Sequence, residues 1–315
     1  MASISPEHKA ELNAWIRREA PHFLNMECFT SLRYDLQLLD CAANTRIHGH
    51  PSPYYMLPYH RDRITEAAEH FKWAAFLEVL DTIYSEAGVE ELEDNIGQYI
   101  DITSETPLRV RIAFKIDGKF TITSAPTLKR TIGDLFPVFM PTPGEIENGD
   151  DGTRQIPSTD NPWTVVVDTQ DTTPSSFTTY KTSRREMYDA ARERSGIKDF
   201  TEPKEVLLVN DQGEIMEGSL TTVILWRNER WTTPALVSGG QKGTTRRWLV
   251  ENQLVEVEVI MADTLRDGEH VWLSNGVRGM IYGRLKLSDA QSRELKMAVR
   301  PSRRRAERSD GVEPE

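Results

Sequence analysis

The stretch DQGEIMEGSLTTVIL, residues 211–225, alternates apolar and polar side chains on both sides of a Gly-Ser pair. Such alternation is typical of β-strands, and glycine followed by serine is typical of the turn between them. The pattern predicts a strand that carries Glu217 into a turn, after which the chain returns as a second strand. This stretch alone leaves two interpretations of Glu217, a buried functional carboxylate or an exposed residue at a strand end.

A lysine segment lies upstream, where residues 176–184 read SFTTYKTSR. It places Lys181 between an extended segment and a predicted helix over residues 183–195. A lysine fixed at such a junction points inward, and desolvation then lowers its pKa so that the free amine attacks a carbonyl. The alternative for this segment taken alone is a solvated lysine beside a helix start.

Two further segments are suited to an anion. Residues 238–246, SGGQKGTTR, form a glycine-containing loop that opens a helix, and backbone N–H groups and hydroxyls at such a start bind phosphate. A helix cap explains Thr244 and Thr245 equally well. Residues 57–63, LPYHRDR, precede another predicted helix, where an arginine would supply a charge-assisted phosphate contact.

The chain divides at residues 139–163, which are rich in proline, glycine, asparagine and aspartate. We predict an N-terminal small domain over 1–140 with a leading helix, an interdomain linker over 141–162, a C-terminal domain over 163–299 and a disordered tail over 300–315. Each domain mixes helices and strands, so the predicted fold class is α+β.

The predicted elements of the first domain are helices over 5–19, 61–73 and 76–87, a loop over 44–53, and strands over 25–34, 54–57, 108–116 and 120–123. Those of the second are helices over 183–195 and 244–252, strands over 165–167, 205–209, 255–260 and 270–274, and a hairpin over 214–226 that is followed by a strand over 231–233. Hydrophobic periodicity and turn residues support each of them.

The composition narrows the function class. The 315 residues are 38% hydrophobic, which suffices for two domains with their own cores. A net charge of −11 argues against a surface for nucleic acid, and no stretch approaches the ~18 apolar residues of a membrane span. Cys28 and Cys41 do not form a disulfide framework, which favours a reducing compartment. We expect a cytoplasmic protein that acts on small molecules, with no nucleic acid, membrane or metal partner.

Taken in order, the four segments resemble the class IV aminotransferase superfamily, also called fold-type IV enzymes, which use pyridoxal 5′-phosphate (PLP). The resemblance covers roughly residues 25–290. It rests on the His-x-x-Arg pattern ending at Arg63, the lysine segment, the Glu-Gly-Ser turn at Glu217 and the Gly-x-Thr-Arg loop over 243–246. It implies a smaller N-terminal and a larger C-terminal α/β domain with the cofactor between them, in a homodimer.

The resemblance also implies roles for these residues. Lys181 would form the Schiff base with PLP and shuttle the proton. Glu217 would hold the pyridine nitrogen protonated, which lets the ring accept electrons from the substrate carbon. The phosphate would be bound by Arg63, Gly243, Thr244 and Thr245, with Ser219 and Thr221 as further candidates for cofactor binding. The family often has asparagine where this chain has Thr222, so a side-chain amide contact there is in doubt.

Two reactions begin in the same way, with removal of a proton from the substrate carbon. Transamination is the commoner outcome in the superfamily and needs no further group. It is the preferred interpretation, with an (R)-amine or D-configured donor and a keto-acid acceptor. A PLP-binding protein without catalytic activity is a third and less favoured alternative.

The second reaction is that of a 4-amino-4-deoxychorismate lyase, which releases pyruvate and 4-aminobenzoate. The segments over 28–33 and 274–279 look closest to these lyases, and Thr30 or Ser31 would supply a hydroxyl for general acid catalysis. The substrate has two carboxylates, so arginines should face the pocket. The substrate candidates are Thr30, Ser31, Arg33, Ser274, Asn275 and Arg278, with Arg109 and Arg111 as further arginines.

Overall fold

The computed structural model describes residues 26–73, 88–149, 156–288 and 291. The predicted helices over 5–19 and 76–87 and the predicted tail over 300–315 lie outside these residues. Among the helices that are described, none is long and apolar enough to cross a membrane.

The first half of the chain builds a three-stranded antiparallel sheet in the order β1-β2-β3. Its strands are β1 (Glu27–Tyr34), β2 (Leu108–Lys115) and β3 (Phe120–Pro126). As predicted, Gly118 lies in the turn between β2 and β3, and its φ of 81° is a conformation that glycine adopts without steric cost. The helices are α1 (Ala42–His48), α2 (Leu57–His70) and α3 (Gly88–Gly97).

Helix α2 covers one face of this sheet. Its apolar residues Leu57, Ile64 and Ala67 recur at helical spacing and are buried against Cys28 and Leu32, whose side chains share one face of β1. The first core cluster forms in this way. The face of β1 that carries Thr30 therefore points toward α2.

Two predictions between β1 and α2 were wrong. Helix α1 occupies the first part of the predicted loop over 44–53, and the predicted strand over 54–57 is reduced to a single bridge between Tyr54 and Tyr34. Helix α2 begins at Leu57 because Pro58 has the fixed φ of a first helical turn and needs no N–H partner there.

The second half builds a mixed eight-stranded sheet in the order β6-β5-β4-β11-β10-β7-β8-β9. Its strands are β4 (Trp163–Val167), β5 (Lys204–Val209), β6 (Ile215–Gly218), β7 (Thr222–Arg227), β8 (Arg230–Pro234), β9 (Glu256–Glu258), β10 (His270–Asn275) and β11 (Gly279–Leu285). β4 runs parallel to β5 and β11, and β8 runs parallel to β9.

The predicted pairing around Glu217 was wrong. β6 pairs with β5, whereas β7 pairs with β10 and β8, so that four strands separate β6 from β7 in the sheet. The sheet curls enough for the two to meet at the turn, where the Gly218 N–H donates to the Thr221 carbonyl at 2.8 Å. Glu217 therefore lies on β6, an edge strand of the sheet, directly before the turn that connects β6 to β7.

The described residues from Ile132 onward also form the helices α4 (Ile132–Leu135), α5 (Pro143–Asn148), α6 (Ser176–Thr179), α7 (Glu186–Arg194) and α8 (Thr244–Glu251). The elements α4, α5, α6 and β11 were not predicted from the sequence. β11 was missed because Gly279 and Gly283 interrupt its apolar pattern. Gly283 is required there, since a Cβ would lie 2.8 Å from the Val165 side chain.

A second core cluster joins residues from both halves of the chain. It includes Tyr55 and Phe136 from the first half and Trp248 and Trp272 from the second. The two halves of the chain therefore share an apolar core, although the exact domain boundaries stay a prediction.

Arg33 ties the first sheet to the loop after β10. Its side chain is fully buried, and its guanidinium donates to the Asp35 carboxylate at 2.7 Å and to the carbonyls of Leu128 at 2.9 Å and Val277 at 3.4 Å. Its backbone N–H donates to the Gly276 carbonyl at 3.0 Å. These contacts occupy the guanidinium that the sequence analysis offered to a substrate.

We expect Arg33→Met to lower the free energy of unfolding by about 3–5 kcal/mol, because Asp35 would be left buried without its opposite charge. The measurement is urea unfolding followed by tryptophan fluorescence. The matched control is Arg111→Met, which removes the partly exposed pair with Glu27 and should cost no more than about 1 kcal/mol. Equal losses in the two variants would contradict the role assigned to Arg33.

Candidate active site

The backbone of Lys181 is joined to the start of β1. The Phe29 N–H donates to the Lys181 carbonyl at 3.0 Å, and the Ser183 N–H donates to the Glu27 carbonyl at 2.8 Å. The Lys181 side chain is half-buried, and its Nζ lies 5.1 Å from the centroid of the Phe29 ring. The lysine is thus held on a short extended segment between the two sheets.

The amine of Lys181 is desolvated and surrounded by positive charge. Burial lowers its pKa well below the ordinary value, and the charges of Arg185 and Arg63 lower it further, while Glu217 acts in the opposite direction. Burial and the neighbouring arginines therefore both favour the neutral amine over the ammonium ion. A neutral amine is both a nucleophile and a base.

Glu217 is the penultimate residue of β6, and its carboxylate is buried. Burial raises its pKa, while hydrogen bonds from the Tyr188 hydroxyl and the Gln241 backbone N–H act to lower it. The Tyr188 hydroxyl donates to Oε1 at 2.6 Å. A small cavity lies beside the carboxylate, lined among others by Met216, Thr222 and Gln241. A carboxylate held in this way is suited to a cationic N–H group.

Tyr188 is a site residue that the sequence analysis missed. It lies on α7, is 1% exposed and packs in a core cluster with Ala191 and Met216. The Arg185 guanidinium lies 4.6 Å from its ring centroid. A tyrosine at helical spacing among apolar residues is indistinguishable from ordinary core, and only the structure shows that its hydroxyl contacts Glu217.

The glycine-containing loop before α8 packs directly on the strands. A Cβ on Gly240 would lie 2.6 Å from the Met216 carbonyl oxygen, and one on Gly243 would lie 2.6 Å from Thr222 Oγ1. Gly243 is the residue that precedes the first turn of α8. These glycines bring the start of the helix against the strand that follows Glu217.

The buried polar atoms without a hydrogen-bond partner among the described residues include the Thr245 hydroxyl at this helix start and the Nε of Arg63 on α2. Burial lowers the pKa of Arg63 to about 10, and the negative charge of Glu217 raises it. Buried donors are almost always satisfied, so these groups indicate an anion with several oxygens.

The hydroxyl candidates of β1 point in opposite directions. Thr30 is buried, and its Oγ1 lies 2.6 Å from both His60 Nδ1 and Arg63 Nη2. Ser31 lies on the other face of the strand, the face that carries Phe29 against the lysine amine. Ser31 therefore shares the side of the amine, while Thr30 belongs to the anion side.

The turn after Glu217 is organised by a carboxylate that the sequence analysis missed. Glu205 is fully buried and accepts hydrogen bonds from the hydroxyls of Ser219 at 2.6 Å and Thr221 at 2.8 Å. The backbone N–H of Leu220 also donates to it at 3.2 Å. The hydroxyls of Ser219 and Thr221 are thus engaged inside the protein, and their contact with a cofactor stays a prediction.

The candidates after β10 differ in their surroundings. The Ser274 hydroxyl is buried and has no hydrogen-bond partner among the described residues. The Asn275 side chain accepts from the backbone N–H groups of Val277 and Arg278 and so shapes the turn. Arg278 donates to the Phe200 carbonyl at 2.7 Å. Their substrate roles stay predictions.

Within the described part of the chain, no cluster of three or more histidine, cysteine or carboxylate side chains could hold a metal ion.

Comparison with known proteins identifies relatives in one family. The sequence model described as amino-transferase class IV matches residues 44–284. The aminodeoxychorismate lyase of Saccharomyces cerevisiae is 36% identical over 146 residues, which are 42% of this chain and 39% of that protein. A putative aminodeoxychorismate lyase of Schizosaccharomyces pombe is 31% identical over 141 residues, 42% of this chain and 60% of that protein. The chain thus matches less than two thirds of the length of each relative.

Solved structures share the fold. A putative amino-acid aminotransferase from Mesorhizobium loti has a TM-score of 0.57 at 20% identity, covering 83% of this chain and 100% of that one. A putative 4-amino-4-deoxychorismate lyase from Legionella pneumophila has a TM-score of 0.54 at 12% identity, with 84% and 83% covered. The branched-chain amino acid aminotransferase from Escherichia coli has 0.53 at 13%, with 89% and 85% covered. The predicted α+β fold is confirmed.

We expect Tyr188→Phe to raise the pKa of Glu217, because the lost hydroxyl stabilises the ionised carboxylate. A hydrogen bond to a charged group contributes about 1.5–3 kcal/mol, which corresponds to a rise of about 1–2 in pKa. The measurement is a pH titration of the carboxyl stretch by infrared difference spectroscopy, with Glu217→Gln identifying the band.

The matched control is Tyr55→Phe, which deletes a buried hydroxyl that donates to the Leu135 carbonyl in the other core cluster. The pKa of Glu217 should not change in this variant. A Glu217 titration that is unmoved in Tyr188→Phe would show that the hydroxyl does not stabilise the carboxylate.

Proposed function

The chain belongs to the class IV aminotransferase family, whose enzymes use pyridoxal 5′-phosphate, and we propose that within this family it acts as an aminodeoxychorismate lyase. Transamination was the preferred interpretation of the sequence. The lyase has better support, because both similar fungal proteins carry that name and because an arginine-bearing surface adjoins the lysine amine.

The residues of the site fit PLP. The cofactor has an aldehyde, a pyridine nitrogen and a phosphate, and the site offers a neutral amine at Lys181, a buried carboxylate at Glu217 and unpartnered donors at Arg63 and Thr245. When bound, PLP withdraws electrons from the substrate carbon next to the amine. We propose that Lys181 attaches the cofactor and that Arg63, Thr244 and Thr245 bind its phosphate.

Lys181 then has a second task as a base. Its lowered pKa favours the unprotonated amine, which can take a proton from the substrate carbon. Glu217, fixed by Tyr188, holds the proton on the pyridine nitrogen. Burial of both groups excludes water from the proton that is transferred.

The observation that carries the lyase proposal is the arginine face, by which we mean the side of β1 and β2 that carries Phe29, Ser31, Arg109 and Arg111. The register pairs Phe29 with Ala113 and Ser31 with Arg111, and cross-strand pairs share a face. Arg109 is exposed on this face, and its charge contributes to the lowering of the Lys181 pKa. A substrate with two carboxylates would be bound there by Arg109.

The ring becomes aromatic when the amine-bearing carbon loses its proton and the bond to the enolpyruvate oxygen breaks, and the departing enolpyruvate must gain a proton to become pyruvate. Ser31 shares the arginine face with Phe29, which contacts the lysine amine, whereas the Thr30 hydroxyl is engaged by His60 and Arg63. We therefore propose Ser31 as the group that assists proton delivery in the leaving-group step.

Incubation of the purified, PLP-loaded protein with aminodeoxychorismate should release 4-aminobenzoate and pyruvate in equal amounts. Chromatography with fluorescence detection measures the first, and coupling to lactate dehydrogenase measures the second. Lys181→Ala should give neither product while staying folded by circular dichroism. Parallel incubations contain (R)- or (S)-1-phenylethylamine with pyruvate. Acetophenone in these incubations, together with no 4-aminobenzoate in the first, would replace the lyase by a transaminase.

We expect Arg109→Gln to raise KM for aminodeoxychorismate by about ten- to a hundredfold, because a charge-assisted contact with a carboxylate contributes about 1.5–3 kcal/mol. The value of kcat should change little, since the contact is made in both the bound substrate and the transition state. The control is Arg230→Gln. Arg230 is an exposed arginine on β8 that pairs with Glu256 on β9, and its replacement should leave KM unchanged. An unchanged KM in Arg109→Gln would remove Arg109 from the substrate site.

A further inference from the structure

A chain of hydrogen bonds runs from Arg63 to the start of α8. Arg63 Nη2 lies 2.6 Å from Thr30 Oγ1, which lies 2.6 Å from Nδ1 of His60. On the other side of the ring, Nε2 of His60 lies 3.4 Å from Thr244 Oγ1. The four residues come from β1, α2 and α8, so the chain of contacts crosses both halves of the protein.

Arginine only donates, so the Thr30 oxygen accepts from Arg63. Among the described residues His60 Nδ1 is the other hydrogen-bond partner of the Thr30 hydroxyl, and donation to Nδ1 is the arrangement that gives the buried hydroxyl proton an acceptor. Nδ1 is then an acceptor without a proton. The single proton of the neutral ring lies on Nε2, which donates to the Thr244 oxygen. The Thr244 hydroxyl proton is left free to point into the anion pocket.

The ring of His60 is closely packed, and its surroundings favour the neutral form. A Cβ on Gly276 would lie 2.5 Å from Cε1 of His60, so the ring fills all the space up to that backbone. The side chain is buried, and burial lowers its pKa well below 6.5, with the charges of Arg63 and Lys181 lowering it further. The neutral ring, which carries one proton, is therefore the favoured form.

We propose that His60 is a positioning residue. Arg63 donates to Thr30, Thr30 donates to Nδ1 of His60, and Nε2–H of His60 donates to Thr244, so that the Thr244 hydroxyl in turn donates to the phosphate of the cofactor. The opposite tautomer would force Thr244 to donate back to the ring and to present oxygen lone pairs to an anion. The proposal rests on the proposed cofactor site and is independent of the choice between lyase and transaminase.

The tautomer is measured directly on the cofactor-free protein labelled with 15N-histidine. Long-range 1H–15N correlation spectra distinguish Nε2–H from Nδ1–H rings, and His60→Gln identifies the signal of His60 by its loss. We expect the neutral ring with its one proton on Nε2, and we expect it to stay neutral when the pH is lowered below 6.5. An Nδ1–H ring or a doubly protonated ring at that pH would overturn the proposal.

Coupling through the ring is measured by the dissociation constant of PLP, using quenching of tryptophan fluorescence. Thr30→Val and Thr244→Val should each weaken binding by about tenfold or more, the loss of one hydrogen bond to a charged group. Thr30→Ser should bind as the parent does, because it keeps the hydroxyl. The control Thr232→Val deletes a buried hydroxyl that contacts only its own strand and should have no effect.

The double variant Thr30→Val/Thr244→Val decides between transmission and local packing. If Thr30 acts through Thr244, the double variant binds PLP no more weakly than Thr244→Val alone. A loss of PLP affinity in the double variant equal to the product of the two single losses would show that the two hydroxyls act separately. That result would refute coupling through His60. Absence of lyase products with an intact Nε2–H ring and non-additive binding would count against the proposed reaction only.

Discussion

The pairing of the lysine segment with β1 is the contact on which the site depends. Two backbone hydrogen bonds and the bridge between Cys28 and Thr182 attach an extended segment of the second half to the edge strand of the first sheet. This attachment places the Lys181 amine against Phe29 and away from bulk water. It also brings α2, which packs on the opposite face of β1, to the phosphate side of the site. The position of each charged group then follows from which face of β1 it lies on.

Desolvation is the dominant electrostatic effect in the space between the sheets. It lowers the pKa of Lys181 and raises that of Glu217, so both groups are driven toward their neutral forms. Arg63 and Arg185 strengthen the effect on the lysine and oppose it on the carboxylate. The bonds from Tyr188 and Gln241 also favour the ionised carboxylate. Neutral lysine and ionised glutamate are the forms that the chemistry needs, and the surrounding arginines favour both.

The sequence predicted local features and missed those that depend on distant contacts. Glycine loops, helix starts and alternating strands are written in neighbouring residues, so the lysine, the Glu-Gly-Ser turn and the start of α8 were found. Strand partners are not local, which is why a hairpin was wrongly predicted between β6 and β7. Tyr188 and Glu205 were missed for a related reason. Each looks like an ordinary residue in its own element, and its role appears only through a side chain brought from another.

The family fold leaves the reaction open, because the residues that bind the cofactor and remove the first proton serve both outcomes. What distinguishes a lyase is the treatment of the rest of the substrate, which requires binding of a second carboxylate and a proton for the leaving group. In this chain the proposal assigns those demands to the arginine face, and the Lys181 amine contacts that face at Phe29. The alternation of β1 places Thr30 on the face toward His60 and Arg63 and Ser31 on the face toward the lysine amine. A shift of one residue in the register of β1 would exchange these two positions, and with them the roles proposed for the two hydroxyls.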